Sequence, residues 1–159
     1  MFKISFIFIF IFTCNYPCFS QSTKTVTTSG TGHEDLIIQK GDQQSADLNQ
    51  EGERQRAFIF QAGFGQAANV NQSGSSNLAF IYQMLNVKRD STQIARLTQS
   101  GFNNFLYVNQ SELNRASFSQ NGTGNTIFYY QNSDSSKTKS SKTTITQKGD
   151  GNRATVIQN

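Results

Sequence analysis

The stretch Gln99-Ser-Gly-Phe-Asn-Asn-Phe-Leu-Tyr-Val-Asn-Gln110 (QSGFNNFLYVNQ) begins and ends on glutamines eleven residues apart. From Asn104 onward it alternates. Leu106 and Val108 fall on one side, and Phe105 and Tyr107 on the other. Period two over seven residues is the pattern of a strand, and Gly101 ahead of it marks a tight turn. Both sides carry apolar residues, so this stretch alone does not say which one faces a core.

The rest of the chain decides it, because the glutamine spacing recurs. Gln39, Gln50, Gln61, Gln72 and Gln83 are each eleven apart, and the beat resumes in the pairs Gln99 and Gln110, Gln120 and Gln131, and Gln147 and Gln158. Such a fixed period is the mark of a repeat architecture. Counting back six residues from each closing glutamine aligns ten units, which open on Gln44, Gln55, Gln66, Asn77, Gln93, Asn104, Asn114, Asn125, Ser141 and Asn152. The third position holds Ala46, Ala57, Ala68, Ala79, Ala95, Leu106, Ala116, Ile127, Thr143 and Ala154. The fifth holds Leu48, Ile59, Val70, Ile81, Leu97, Val108, Phe118, Tyr129, Ile145 and Val156. A weaker unit, His33 to Gln39, precedes them with Asp35 in the alanine position.

None of the 40 residues in this repeating register is charged, whereas the 30 between them include Asp47, Arg56, Arg96, Arg115, Lys142 and Arg153. Charges are almost never buried unpaired. The uniform register therefore faces in, and Phe105 and Tyr107 face out. Carboxamides suit the strand ends because each carries donors and an acceptor. When like strands stack about 4.8 Å apart, every amide meets its own kind above and below.

Two seven-residue strands and two four-residue turns make a 22-residue rung. The expected fold is all-β, a two-sheet parallel β-solenoid of about five such rungs spanning residues 33–159. Outward residues divide by sheet. Phe58, Phe60, Phe80, Tyr82, Phe105, Tyr107, Phe128 and Tyr130 share one outer face, while Ser45, Asn69, Arg96, Ser117 and Thr144 lie on the other. A continuous aromatic face of this size is unusual on a monomer and reads as a contact surface. Two nine-residue connections, 84–92 and 132–140, carry Lys88, Arg89, Lys137 and Lys139 and read as solvated loops rather than a basic site.

Residues 1–20 form a basic start, an apolar run from Ile4 to Phe12 broken only by Ser5, and Cys18-Phe19-Ser20 ahead of Gln21. That is the pattern of a cleaved secretory signal peptide. Its removal takes both cysteines, Cys14 and Cys18, so the exported chain needs neither disulfides nor a cysteine-bound metal. With Lys3 gone, 13 basic against 10 acidic residues leave +3, which bears on solubility and not on nucleic-acid binding. Residues 21–32 read as a flexible N-terminal segment.

The repeated Q-x-G-x-x-N-x-A-x-(I/V)-x-Q, as in Gln72-Ser-Gly-Ser-Ser-Asn77-Leu-Ala-Phe-Ile-Tyr-Gln83 and Gln147-Lys-Gly-Asp-Gly-Asn152-Arg-Ala-Thr-Val-Ile-Gln158, resembles the curlin repeat over residues 33 to 158. The resemblance implies a secreted subunit of curli, the functional amyloid fibres that support bacterial adhesion and biofilm matrix. It also implies an outer-membrane secretion pore, assembly factors and stacking end to end on itself or a related subunit, with no cofactor, metal, small-molecule substrate or nucleic acid. Residues 21–32 match the family's secretion-targeting region by position. Asn or Gln where major subunits often carry Ser leans toward the minor, nucleating type. The regular last unit leans toward the major type, and both stay open.

Under this reading the assembly residues are the amides. In one set of units they are Gln39, Gln55, Gln61, Asn77, Gln83, Asn104, Gln110, Asn125, Gln131, Asn152 and Gln158; in the other, Gln50, Gln66, Gln72, Gln93, Gln99, Asn114, Gln120 and Gln147. The last unit fits the pattern fully, so a C-terminal strand edge is expected to template the next molecule. A catalytic role has little to rest on. His33 is the only histidine and falls in the weakest unit, and Glu51 and Glu53 share a solvated turn. The rival is a monomeric β-solenoid, either a surface adhesin or an ice binder, though ice binders of this shape present a flat Thr-rich face.

Overall fold

A computed structural model describes residues 7–9, 22–85, 92–111, 114–132 and 141–158. Its thirteen strands are β1 (Ile7–Ile9), β2 (Thr23–Thr31), β3 (Glu34–Asp42), β4 (Ser45–Glu53), β5 (Arg56–Phe64), β6 (Gln66–Ser75), β7 (Leu78–Leu85), β8 (Gln93–Phe102), β9 (Phe105–Ser111), β10 (Asn114–Thr123), β11 (Thr126–Gln131), β12 (Ser141–Lys148) and β13 (Arg153–Gln158). They form two parallel sheets. One runs β1-β3-β5-β7-β9-β11-β13 and the other β12-β10-β8-β6-β4-β2. The molecule is a two-sheet parallel β-solenoid.

Register never slips. Gln39, Gln61, Gln83, Gln110, Gln131 and Gln158 are successive partners in the first sheet. Thr28, Gln50, Gln72, Gln99, Gln120 and Gln147 are partners in the second. The unequal connections are absorbed outside the strands. A one-residue slip would turn the amides and alanines outward and the charges inward, which is what pins the pairing.

The inward register supplies the core: Ala46, Leu48, Ala57, Ile59 and their equivalents up to Ile127 and Tyr129. Small residues in the alanine positions let the two sheets approach closely. Burial falls off at β12 and β13, the last rung, where Thr143, Ile145, Ala154 and Val156 are only half-buried.

Strands run on through the turns, to nine or ten residues in β3 to β6, because the turns themselves stack. This accounts for the glycine in second place of every four-residue turn that leads from the second sheet to the first, among them EGER, SGSS, SGFN, NGTG and KGDG. Gly52, Gly74 and Gly101 sit at φ of 118°, 98° and 109°. A Cβ on Gly52 would lie 1.9 Å from the Gly74 carbonyl oxygen, and one on Gly74 2.2 Å from that of Gly101. Only glycine fits both the dihedral and the space.

One expectation is corrected. Thr23–Thr31 is not a flexible segment but a strand, paired in register with β4, and it makes a sixth rung with β3. Its inward positions hold Lys24, Val26 and Thr28 in place of Ala, Leu and Gln, which hid the repeat. The connection Ser29-Gly30-Thr31-Gly32 nevertheless matches Asn121-Gly122-Thr123-Gly124 at three positions of four. Of the segment read as a signal peptide, Ile7–Ile9 lies along the outer edge of β3, with Ile7 opposite Asp35 and Ile9 opposite Ile37. The remainder of that segment lies outside the described residues, as do Lys88, Arg89, Lys137 and Lys139 of the long connections.

Candidate functional site

The closing glutamines make two ladders, one unbroken from Gln50 to Gln147 and the other from Gln39 to Gln110. In one, each Nε2 donates to the Oε1 of the next rung: Gln50 to Gln72 (2.8 Å), Gln72 to Gln99 (2.7 Å), Gln99 to Gln120 (2.9 Å) and Gln120 to Gln147 (3.0 Å). In the other, Gln39 donates to Gln61 (2.8 Å), Gln61 to Gln83 (2.9 Å) and Gln83 to Gln110 (3.0 Å). The second Nε2 proton crosses to the opposite sheet, as from Gln72 to the Arg56 carbonyl and from Gln99 to the Leu78 carbonyl, both at 3.2 Å. Each glutamine thus ties rung to rung and sheet to sheet. That accounts for how most of these amides can be buried at little cost.

The opening amides clamp the turns. Gln55 donates back to the Glu51 carbonyl (2.8 Å), Asn77 to Ser73 (2.8 Å), Asn104 to Ser100 (3.1 Å) and Asn152 to Lys148 (2.9 Å). Asn77, Asn104, Asn125 and Asn152 also form a ladder, with the later Nδ2 donating to the earlier Oδ1. In the other sheet Gln44 donates to Gln66 and Gln66 to Gln93. That line stops at Gln93, whose Nε2 has no partner, and Asn114 separately accepts from the Ser141 hydroxyl.

The glutamine ladders have a direction, which was not legible in the sequence. Buried amide oxygens of Gln39, Gln44, Gln50 and Gln55, all in the first two rungs, have no hydrogen-bond partner. At the opposite end Gln147 Nε2 donates only one of its two protons, to the Thr126 carbonyl. In the glutamine ladders the unpartnered oxygens lie toward the N-terminal end and the spare Gln147 proton toward the C-terminal end, whereas the asparagine ladder runs the other way and Gln93 Nε2, in mid-solenoid, also lacks a partner. The last rung is also more polar. Tyr129 donates its hydroxyl proton and lies within reach of Gln131, Thr143 and Gln158, while Gln131 Nε2 donates to Ser141 Oγ, so the Gln110-to-Gln158 ladder is interrupted there. Burial pushes the Tyr129 hydroxyl pKa up, with the Thr143 hydrogen bond opposing. Asn152 is exposed and Gln158 half-buried, since no strand among the described residues covers them.

The first rung breaks the pattern most. Lys24 and Asp35 occupy its two alanine positions, and His33 its opening amide position. Lys24 Nζ reaches the Ile37 carbonyl at 3.5 Å, and burial lowers its pKa. His33 is buried, its Nδ1 without a partner. Burial raises the Asp35 carboxyl pKa from 3.8 to about 6, against a hydrogen bond from the Gln50 amide.

On the outer face, Phe58 stacks on Phe80 (4.7 Å, 11°) and Phe60 on Tyr82 (4.9 Å, 5°). Contact then shifts sideways from Phe80 to Phe105 (6.1 Å) and on to Phe128 (5.4 Å), with Tyr107 against Phe128 and Tyr130. Asn109 takes the place an aromatic would fill beside Tyr82. The face is outward but less open than expected. Its rings cover one another, and of the eight only Tyr130, 38 % accessible, counts as exposed. Set against protein-family models, curated proteins and solved structures, the chain matches none.

Proposed function

We propose that the chain is a secreted structural subunit of a curli-type functional amyloid fibre, exported to the cell surface and stacking end to end on itself or a related subunit. The observation that carries this reading is the complementarity of the two ends. A copy added in register would lay its Thr23–Thr31 and Glu34–Asp42 strands on β12 and β13, continuing both sheets. Gln158 would then fall opposite Gln39, a donor against an oxygen that has no partner within one copy.

Charge favours the same head-to-tail sense. Residues 22–64 carry six acids and four bases, and residues 65–159 nine bases and four acids. In the continued register Arg153 of one copy lies over Glu34 of the next. Within one chain Glu34 already pairs with Arg56 one rung on, at 3.3 Å. This exposed pair bears more on orientation than on strength. Removal of residues 1–20 on export would free the edge of β3 that Ile7–Ile9 occupies.

The test is polymerisation of the purified chain from Gln21. Thioflavin fluorescence should rise over hours, faster with seeds, and fibres should diffract at about 4.8 Å along their axis. A chain that stays monomeric for days at micromolar concentration refutes the proposal and favours a monomeric solenoid adhesin.

A further inference from the structure

Among the described residues the inward register holds a single carboxylate, Asp35, and it lies in the end rung that a stacking copy would have to cover. We propose that this first rung is a pH-set gate on end-to-end growth, in which Asp35 takes up a proton when another copy closes over the N-terminal edge. The inference rests on the self-assembly reading above.

The geometry is that of a covered edge. Ile7–Ile9 lies on β3 in the position and register that the Ala154-Thr155-Val156 segment of another copy would take. Under that strand Asp35 is half-buried and its Oδ1 has no hydrogen-bond partner. The surrounding elements offer little to a carboxylate. β1 brings Ile7 as register partner and β5 brings Ala57, while β4 contributes the Gln50 amide. The titratable neighbours on the inward side are Lys24 of β2 and His33 ahead of β3. The Glu34–Arg56 pair points outward. An inward-pointing charge at a sheet edge is a recognised device against unwanted pairing. Here protonation would release it.

The direction follows from linkage. With Ile7–Ile9 on the edge, burial holds the carboxyl at about 6, up from its ordinary 3.8, and an open edge buries it less and lets it fall back toward that ordinary value. Stacking is therefore unpenalised below the open-edge value. The penalty grows as pH rises between the two values and is complete above the upper one. A shift of this size weakens the stacking equilibrium at neutral pH by roughly tenfold to a hundredfold.

The experiment measures residual soluble chain after seeded growth of the Gln21–Asn159 protein at pH 4.5, 5.5, 6.5 and 7.5, beside Asp35→Asn and the outward control Asp47→Asn. The wild type and D47N should leave at least tenfold more soluble chain at pH 7.5 than at 4.5. D35N should leave little at every pH. Circular dichroism of each soluble form checks that the strands are retained. A D35N profile that tracks the wild type overturns the gate. So does growth that weakens on acidification in the wild type alone, which would mean that an ionised Lys24–Asp35 pair holds the junction. Absence of fibres from all three proteins at every pH would instead refute the self-assembly reading itself.

Discussion

Gln99→Ala tests whether the amide ladders hold the interior together or merely line it. Gln99 is fully buried in the middle of the second sheet. It accepts from Gln72 at 2.7 Å and donates to Gln120 at 2.9 Å and to the Leu78 carbonyl at 3.2 Å. Truncation leaves a proton of Gln72, the oxygen of Gln120 and one lone pair of Leu78 without those partners, in a space too narrow for the neighbours to reach each other. Each stranded buried group costs about 1–3 kcal/mol, so the loss from three should be roughly 3–9 kcal/mol. That is a large part of the 5–15 kcal/mol typical of a whole domain. Thr98, next in sequence, is exposed, and Thr98→Ala should cost less than about 0.5 kcal/mol. The assay is urea unfolding of freshly refolded chain, followed by circular dichroism within the lag before fibres appear. Equal, small losses for the two variants would mean that the apolar positions alone carry the fold and that the ladders are incidental.

Three further outcomes are expected. Gly101→Ala should destabilise the fold by at least about 2 kcal/mol, because its Cβ would meet the Gly122 carbonyl oxygen at 2.2 Å, whereas Gly124→Ala, with nothing within 4 Å, should cost about 1 kcal/mol; thermal unfolding separates them. Replacing Phe58, Phe80, Tyr107 and Phe128 together with Ser should spare fibre growth but leave thin, separate fibres in electron micrographs. A complete loss of fibres would show that those rings belong to the fold. Arg153→Glu should slow seeded growth, and Glu34→Arg in the same chain should restore part of the rate. No rescue would argue against head-to-tail stacking in the proposed register.

Much of this molecule is legible in its sequence because one physical constraint acts on every rung. Charge is excluded from one register, so strand phase could be read without knowing any contact, and the eleven-residue beat told which residues stack. Thr23–Thr31 escaped because its inward positions hold Lys24 and Thr28, and there the glycine spacing of Ser29-Gly30-Thr31-Gly32 was the better guide. Ladder direction could not be read at all. Gln and Asn are symmetric as letters, and which end donates depends on what the other proton finds, such as the Arg56 or Leu78 carbonyl. The aromatic face was legible as an outward set but not as a contact path. Phe80 contacts Phe105 in the adjacent column although its register partner is Tyr107, and the Tyr82 column is interrupted at Asn109.

The departures from the repeat fall at its two ends, and on the assembly reading that placement has a consequence. Between inner rungs, stacking buries Ala and Ile or Leu under their own kind, with most ladder amides matched. Between copies it would lay Lys24 and Asp35 against Thr143 and Ala154, with the Tyr129, Thr143 and Gln158 hydroxyl and amide groups close behind. Burying such groups costs more than burying alanine unless each finds a partner. The junction should then be weaker than any contact within a chain, yet selective for register, since a slip of one residue would turn Gln147 and Gln158 away from Thr28 and Gln39. A solenoid built this way can be stable as a monomer and still grow in only one register. The interior rungs supply the stability, and the irregular end rungs decide what is allowed to join.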